Sequence, residues 1–398
     1  MKIALIREYK QPADERVALT PKQAAQVMKD FPNVEVVAES SPERCYTDED
    51  YKAAGVNVQE DVSDADILLG VKEVPIKNLI PNKTYLFFSH TIKKQPYNKE
   101  MLQEIIKRNI KLVDYECLEW KEGGRVLGFG HFAGIVGAYN GLLTWGKKFT
   151  RYNLTPAHEL KTYDALKEHL KTIEFPPIRT VICGDGRVGH GSVELLKNAG
   201  IREVSREEFL NNVFNEPVFV LLHPRDLYAR KDGSEWSREH FFVHPEEYKS
   251  TFDQYIPVTD LMINAIYWEE RIPIYFTKDD LVAPDFRIKV IADITCDVEG
   301  SVPITTRATP IEDPVIGWNS FAKEETEPFM PNTVDVMAVT NLPCELPADA
   351  SQEFGQSMAD HIMPLLIAGD KDDIIKRATI TEGGKLTEHY GYLADYIA

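Results

Sequence analysis

The sequence predicts an α/β protein made of two doubly wound, mostly parallel sheets. Three observations carry this. At 398 residues the chain exceeds one ordinary core, so two domains are expected. Short apolar runs alternate with helix-like segments from the start. A second alternating unit then opens at a glycine-rich turn near residue 184.

The elements follow in order. "KIALIRE" (2–8) reads as a strand, and "TPKQAAQVMKDF" (20–31) as a helix with Thr20 as N-cap and Pro21 at its first position. "VEVVAES" is strand-like, "DEDYKAAG" a short helix, and "ADILLGVK" and "YLFFSH" are strands. The amphipathic helix "NKEMLQEIIKRN" leads to the strand "IKLVDYE". A long helix is expected over 133–149, rich in small residues that permit close backbone packing. Later strands are "TVIC", "PVFVLL", "LMINAIY" and "IKVIADIT". "GWNSFAKEETEPFMPNTV" reads as an exposed loop, and "SQEFGQSMADHIMPLLIAG" as a helix ending at Gly369.

A composition of 43% hydrophobic and 27% charged residues is that of a soluble globular protein. The formal net charge of −18 argues against nucleic acid or an anionic membrane as partner, since either needs a basic face. No apolar run is long enough to span a bilayer, and the N-terminus lacks the apolar core of a signal peptide. Cys45, Cys117, Cys183, Cys296 and Cys344 are scattered, with no C-x-x-C spacing. They suggest neither a disulfide framework nor a metal site, and a reducing cytoplasmic setting is expected.

Gly184-Asp185-Gly186-Arg187-Val188-Gly189 lies between the strand "TVIC" and a helix. The dinucleotide fingerprint requires that context: a tight turn, close approach of backbone to pyrophosphate, and close helix–strand packing. The helix N-terminus adds free N–H groups for the phosphates. Glu203 has the spacing of a ribose-holding acid, but Ser205 to Glu208 reads as a capping box. The neighbouring strand is then "PVFVLL", ending on His223-Pro224-Arg225-Asp226. Asp226 suits a ribose 2′-hydroxyl and Arg225 a 2′-phosphate, which leaves NAD and NADP both open.

Lys72 and His90 each end an apolar strand, and in parallel sheets those ends line the ligand crevice. Histidine is the side chain that most readily exchanges protons near neutrality, and lysine acts as a base once burial or a nearby cation lowers its pKa. Arg16 and Arg125 are candidate clamps for carboxylates. Glu116 and Asp297 are strand-end carboxylates. Solvated loop positions are the alternative for all of these.

The blocks "GVKEVP", "TYLFFSHTIKKQ", "LVDYECL", "GGRVLGFGHFAGIVG", "LMINAIYWEERIP", "IADITCDVEGSVP" and "VTNLPCELPADASQEFG" fall in the order seen in saccharopine-forming enzymes, which the whole chain resembles. The likeness includes the lysine–2-oxoglutarate reductase domain of aminoadipic semialdehyde synthase and, more distantly, alanine dehydrogenase and transhydrogenase. It implies two Rossmann-like domains with a cleft between them, the first discontinuous: 1–132 plus 337–398 for substrate and catalysis, and 133–336 for the dinucleotide. The implied reaction joins an amino acid to a 2-oxo acid and reduces the imine with NAD(P)H. The resemblance assigns Lys72 and His90 as the acid–base pair and Arg16, Glu116 and Arg125 to the substrate. It puts Gly184, Gly186 and Gly189, with Ala265, Ile266 and Tyr267, on the cofactor side; position in the glycine loop adds Arg187 and Val188, and position at strand ends adds Arg225, Asp226 and Asp297, although the Arg225-Asp226 region is charged differently from the reductase domain. An oligomer is compatible with it.

Overall fold

The computed structural model describes residues 1–10 and 13–398. The chain divides into two compact units, 1–129 with 347–398, and 130–346. The returning segment therefore begins at Pro347, after the 337 read from the sequence, because the strand Thr333–Met337 completes the second unit's sheet.

In the first unit an eight-stranded sheet is built around Lys2–Leu5. On one side of this strand lie Glu35–Glu39 and then Asn57–Gln59; on the other lie Ile67–Leu69, Thr84–Phe87 and Lys111–Asp114, all parallel. Chain order reverses at Lys2–Leu5, so the crevice outside its carboxyl end is where a doubly wound sheet takes ligands. The inner strands are buried on both faces. Ile3, Leu5, Leu69, Leu86 and Val113 pack in one core and Ala4, Leu68, Tyr85, Phe87 and Leu112 in another. Two antiparallel strands from the C-terminal segment, Thr379–Glu382 and Lys385–Leu386, extend the edge beside Lys111–Asp114. The Thr20 cap is present as a full capping box on the helix Pro21–Asp30.

The second unit also holds an eight-stranded sheet, with Arg179–Cys183 at its switch point between Val218–Leu222 and Leu261–Asn264. Val290–Asp293 and Thr333–Met337 continue in parallel. The segment expected as a loop over 317–334 is instead a hairpin: Val315–Asn319 pairs antiparallel with both Glu324–Thr326 and Thr333–Met337. Its charged side chains face water from an edge strand, which is why the composition imitates a loop. The long helix runs from Gly130 to Phe149. A Cβ on Gly134 would stand 1.9 Å from the Val188 carbonyl, so only glycine lets this helix approach the helix Arg187–Asn198 so closely. The last predicted helix breaks into Pro347–Ser357, a π-type turn at Met358–Ile362, and Met363–Ala368.

Candidate active site

Four parallel strands of the first unit end in charged residues. Beyond Leu5 comes Glu8, beyond Leu69 Lys72 and Glu73, beyond Phe87 His90, and beyond Asp114 Glu116. Parallel pairing alone brings these ends to one edge of the sheet.

Lys72 is half-buried, and among the described residues its ammonium has no hydrogen-bond or ion-pair partner. Burial lowers its pKa, and the nearby Arg16 guanidinium pushes the same way, against the attraction of Asp14 and Glu73. Arg16 is buried and bound in two-pronged fashion by Asp14, Nε to Oδ1 at 2.9 Å and Nη2 to Oδ2 at 2.6 Å. Its guanidinium carbon lies 4.2 Å from the centre of the Phe129 ring. Burial works against a charged Asp14, but Arg16 and then Lys72 outweigh it and hold that carboxyl below its usual range.

His90 sits in left-handed backbone, with φ of 51°, at the start of the Ser-His-Thr loop. The loop is pinned on both sides of the histidine. Ser89 bonds the buried Asp114 through its N–H (3.1 Å) and its hydroxyl, and the Ser89 and Thr91 hydroxyls lie 2.7 Å apart. Asn98 Nδ2 donates to the Ser89 carbonyl at 2.9 Å. Burial pushes the Asp114 carboxyl up to about 6. The imidazole Nδ1 stands 2.6 Å from Glu73 Oε1, and Lys10 Nζ stands 2.8 Å from Glu73 Oε2. Burial opposes charge on Glu73, yet the bonds from His90 and Lys10 prevail and hold it well below the ordinary carboxylate range. Of the two lysines that follow, Lys94 pairs with Asp395 at 2.7 Å and ties the loop to the C-terminal segment.

Glu116 and Arg125 form an ion pair at 2.5 Å, with Glu116 nearly buried and Arg125 half-exposed. The Glu116 N–H donates to Asp114 Oδ1 at 2.7 Å, which joins this pair to the His90 loop. Glu8, Asp14, Glu73 and Asp114 were not singled out in the sequence. Asp114 did leave a signal, a carboxylate inside the apolar run "KLVDYE"; Glu73, directly after a strand-end lysine, left none.

The residues expected on the cofactor side lie in the second unit. Gly184 has φ of 112°, and a Cβ there would stand 2.7 Å from the Ala265 carbonyl. A Cβ on Gly189 would stand 1.9 Å from the Gly184 carbonyl, whereas one on Gly186 would meet nothing. Gly186 caps the helix with no side-chain hydrogen bond, so the first-turn N–H groups beside Arg187 and Val188 have no internal cap. This open cradle fits a pyrophosphate. The strand Val218–Leu222 directly neighbours Arg179–Cys183, and Ser205 with Glu208 forms the capping box read in the sequence. Arg225 is exposed. Asp226 accepts from the His223 N–H at 3.0 Å and from Arg206 at 3.0 Å. Ala265 and Ile266 are buried and Tyr267 exposed beyond Leu261–Asn264; Asp297 follows Val290–Asp293, in a turn closed by the Gly300 N–H at 3.0 Å. Each group thus follows a strand's carboxyl end within its own unit.

Comparison with known proteins agrees with the resemblance read from the motifs. The family described as "Alanine dehydrogenase/PNT, N-terminal domain" matches residues 4–136. The chain is 28% identical over 443 aligned residues to the mitochondrial alpha-aminoadipic semialdehyde synthase of Rattus norvegicus, covering 98% of this chain and 47% of that protein. It thus spans about half the length of these synthases. It is 26% identical to the saccharopine dehydrogenase [NAD(+), L-lysine-forming] of Candida glabrata, covering 92% of this chain and 94% of the relative. Among solved structures, an L-alanine dehydrogenase superposes over 100% of both chains with a TM-score of 0.68 at 18% identity. The transhydrogenase of Sinorhizobium meliloti gives 0.57 at 13% identity, covering 97% of this chain and 99% of that one. These two likenesses establish the fold: two Rossmann-like α/β units.

Proposed function

We propose that this chain is an NAD(P)-dependent oxidoreductase of the saccharopine-forming type, joining the lysine side-chain amine to 2-oxoglutarate and reducing the imine. The observation that carries this reading is Lys72, whose amine has a lowered pKa and no partner among the described residues, placed next in sequence to the Glu73–His90 couple. Relatives named for saccharopine and aminoadipic semialdehyde chemistry support it.

Amine–ketone condensation needs a proton removed from the amine and another delivered to the departing hydroxyl. Lys72, once it has lost its own proton, is suited to take the first. Because Glu73 is a carboxylate, His90 donates Nδ1–H to it and keeps Nε2 for proton exchange with the substrate. Arg16, held in place by Asp14, is the candidate clamp for a substrate carboxylate. The loop Gly184–Gly189 would hold the dinucleotide phosphates, and the nicotinamide, when bound, supplies the hydride. A cytoplasmic setting is part of the proposal, with mitochondrial relatives as the alternative that fractionation of the source cells decides.

The test is a screen of purified protein with NADH and with NADPH against lysine plus 2-oxoglutarate and against pyruvate plus ammonia. Lysine-dependent oxidation of one dinucleotide is expected. Turnover of pyruvate and ammonia alone would move the chain to alanine dehydrogenase chemistry. Dinucleotide binding without any turnover would make it a sensor.

A further inference from the structure

The extended chain beyond Leu5 alternates its side chains. Arg7 and Tyr9 turn to Glu39: the Tyr9 hydroxyl hydrogen-bonds its carboxylate, and Arg7 Nε lies 3.7 Å from it. Glu8 points the other way. Its Oε1 accepts the Val71 N–H at 2.6 Å and its Oε2 accepts the Lys72 N–H at 2.8 Å. These two donors come just where the sheet ladder runs out: Ile6 N–H still reaches the Leu69 carbonyl at 3.0 Å, Gly70 N–H the Leu86 carbonyl at 3.0 Å, and Phe88 N–H the Val71 carbonyl at 3.0 Å. Past that point the carboxyl group of Glu8 replaces the missing strand.

We propose that Glu8 is a positioning residue of this site, its carboxyl gripping the main chain of Val71 and Lys72 and so setting where the Lys72 side chain stands. The inference rests on the reading of Lys72 as a proton-exchanging group. One grip serves both halves of the acid–base pair, because the next residue, Glu73, holds His90. Burial and the nearby Asp14 push the Glu8 carboxyl up to about 8, the two N–H bonds and Arg16 acting against them. A group held at that cost in ionisation is not placed there for solubility. Tyr115, whose buried hydroxyl has no hydrogen-bond partner among the described residues, also senses the Glu8 charge.

Glu8→Gln keeps the shape but turns an amide NH₂ toward one of the two N–H donors. Freed of the grip, Lys72 moves toward water and its pKa rises toward that of an ordinary lysine. The primary experiment needs no enzyme assay. The full chain is labelled with a lysine-directed acylating reagent across a pH series, and the extent at Lys72 is read by peptide mass analysis, with exposed Lys93 as internal control. The expected result is a Lys72 midpoint displaced to higher pH in Glu8→Gln, unchanged at Lys93, and unchanged at Lys72 in Glu39→Gln, which loosens the opposite side of the same segment. A Lys72 midpoint that stays or falls, or one that moves equally in Glu39→Gln, overturns the proposal. In steady state, on whichever substrate pair the wild type turns over, kcat should fall roughly ten- to a hundred-fold with KM for the dinucleotide unchanged, as expected on leaving a buried main-chain N–H unpaired. If the wild type lacks lysine–2-oxoglutarate activity, the functional reading fails while the labelling result still decides the role of Glu8.

Discussion

The two units use the same sheet plan for opposite purposes. Both are eight-stranded, and both reverse strand order at their first parallel strand. In the first unit, the strand ends carry Glu8, Lys72, Glu73, His90 and Glu116, charged or titratable groups, of which Glu73 and His90 hold each other. In the second, the equivalent turn carries Gly184, Gly186 and Gly189, and its value lies in having no side chains. The connectivity differs as well. The first unit adds strands outward in chain order, Lys2–Leu5, Glu35–Glu39, Asn57–Gln59, whereas in the second Arg202–Glu203 goes to the edge and Val218–Leu222 returns to lie beside Arg179–Cys183. Under the proposed function, one scaffold would serve either proton transfer or anion binding, according to whether its crevice is filled with charge or left as bare backbone.

The sharpest way to break this comparison is to remove the charged groups from the first unit. Lys72→Ala and His90→Ala should each lower lysine-dependent NAD(P)H oxidation by roughly 10²- to 10⁴-fold, while the dinucleotide Kd measured by fluorescence stays put. Near-normal rates in both variants would remove the roles assigned to them.

The glycine loop can be probed at two positions with different expected outcomes. Gly189→Ala drives a Cβ against the Gly184 carbonyl, so loss of the folded second unit is expected in circular dichroism. Gly186→Ala meets no protein atom and should keep its Tm, yet bind the dinucleotide at least ~10-fold more weakly if the backbone there approaches pyrophosphate. Undiminished binding by Gly186→Ala would place the phosphates elsewhere.

A smaller effect is expected at the carboxylate behind His90. Glu73→Gln leaves the imidazole in place but without its anionic partner, and kcat should fall by about ten-fold or more, in line with the ~1.5–3 kcal/mol of a charge-assisted hydrogen bond. A kcat at the wild-type level would show that His90 works unaided.

Stability against pH separates the site's carboxyls by the sign of their shifts. Glu8 and Asp114 have raised folded-state values, so their contribution is full below the ordinary carboxylate range and is lost as pH rises through about 6 for Asp114 and about 8 for Glu8. Asp14 and Glu73 are lowered, so theirs is present above that range and is lost in acid. Thermal unfolding from pH 5 to 8 should therefore decline less steeply in Glu8→Gln than in the wild type; parallel curves would show that Glu8 does not titrate in that window. The least effect is at the helix caps: Thr20→Ala in one unit and Ser205→Ala in the other should each cost about 1 kcal/mol in denaturant unfolding and leave kcat unchanged.

Much of this was legible beforehand, for reasons of period and local chemistry. Apolar runs marked nearly every parallel strand, because a strand covered on both faces must be apolar throughout. The capping boxes at Thr20 and Ser205 announced themselves as residue types at fixed spacing, and the second of these correctly passed the neighbouring strand to Val218–Leu222. The glycine loop was legible because its geometry tolerates only glycine at Gly184 and Gly189. The hairpin over 317–334 was not, since an edge strand dressed in charge has the composition of a loop.

What the sequence determined by itself is most of the parallel strands, the burial of their two faces and the residue types at their ends. What only the tertiary structure decided is which of those ends touch: that Glu73 takes His90, Asp14 takes Arg16, Asp114 holds the Ser-His-Thr loop, and Glu8 reaches across to the backbone of Lys72. Hydrophobic period is a local property written into consecutive residues. The pairing of charges depends on strand order, and strand order is settled by packing across the whole sheet.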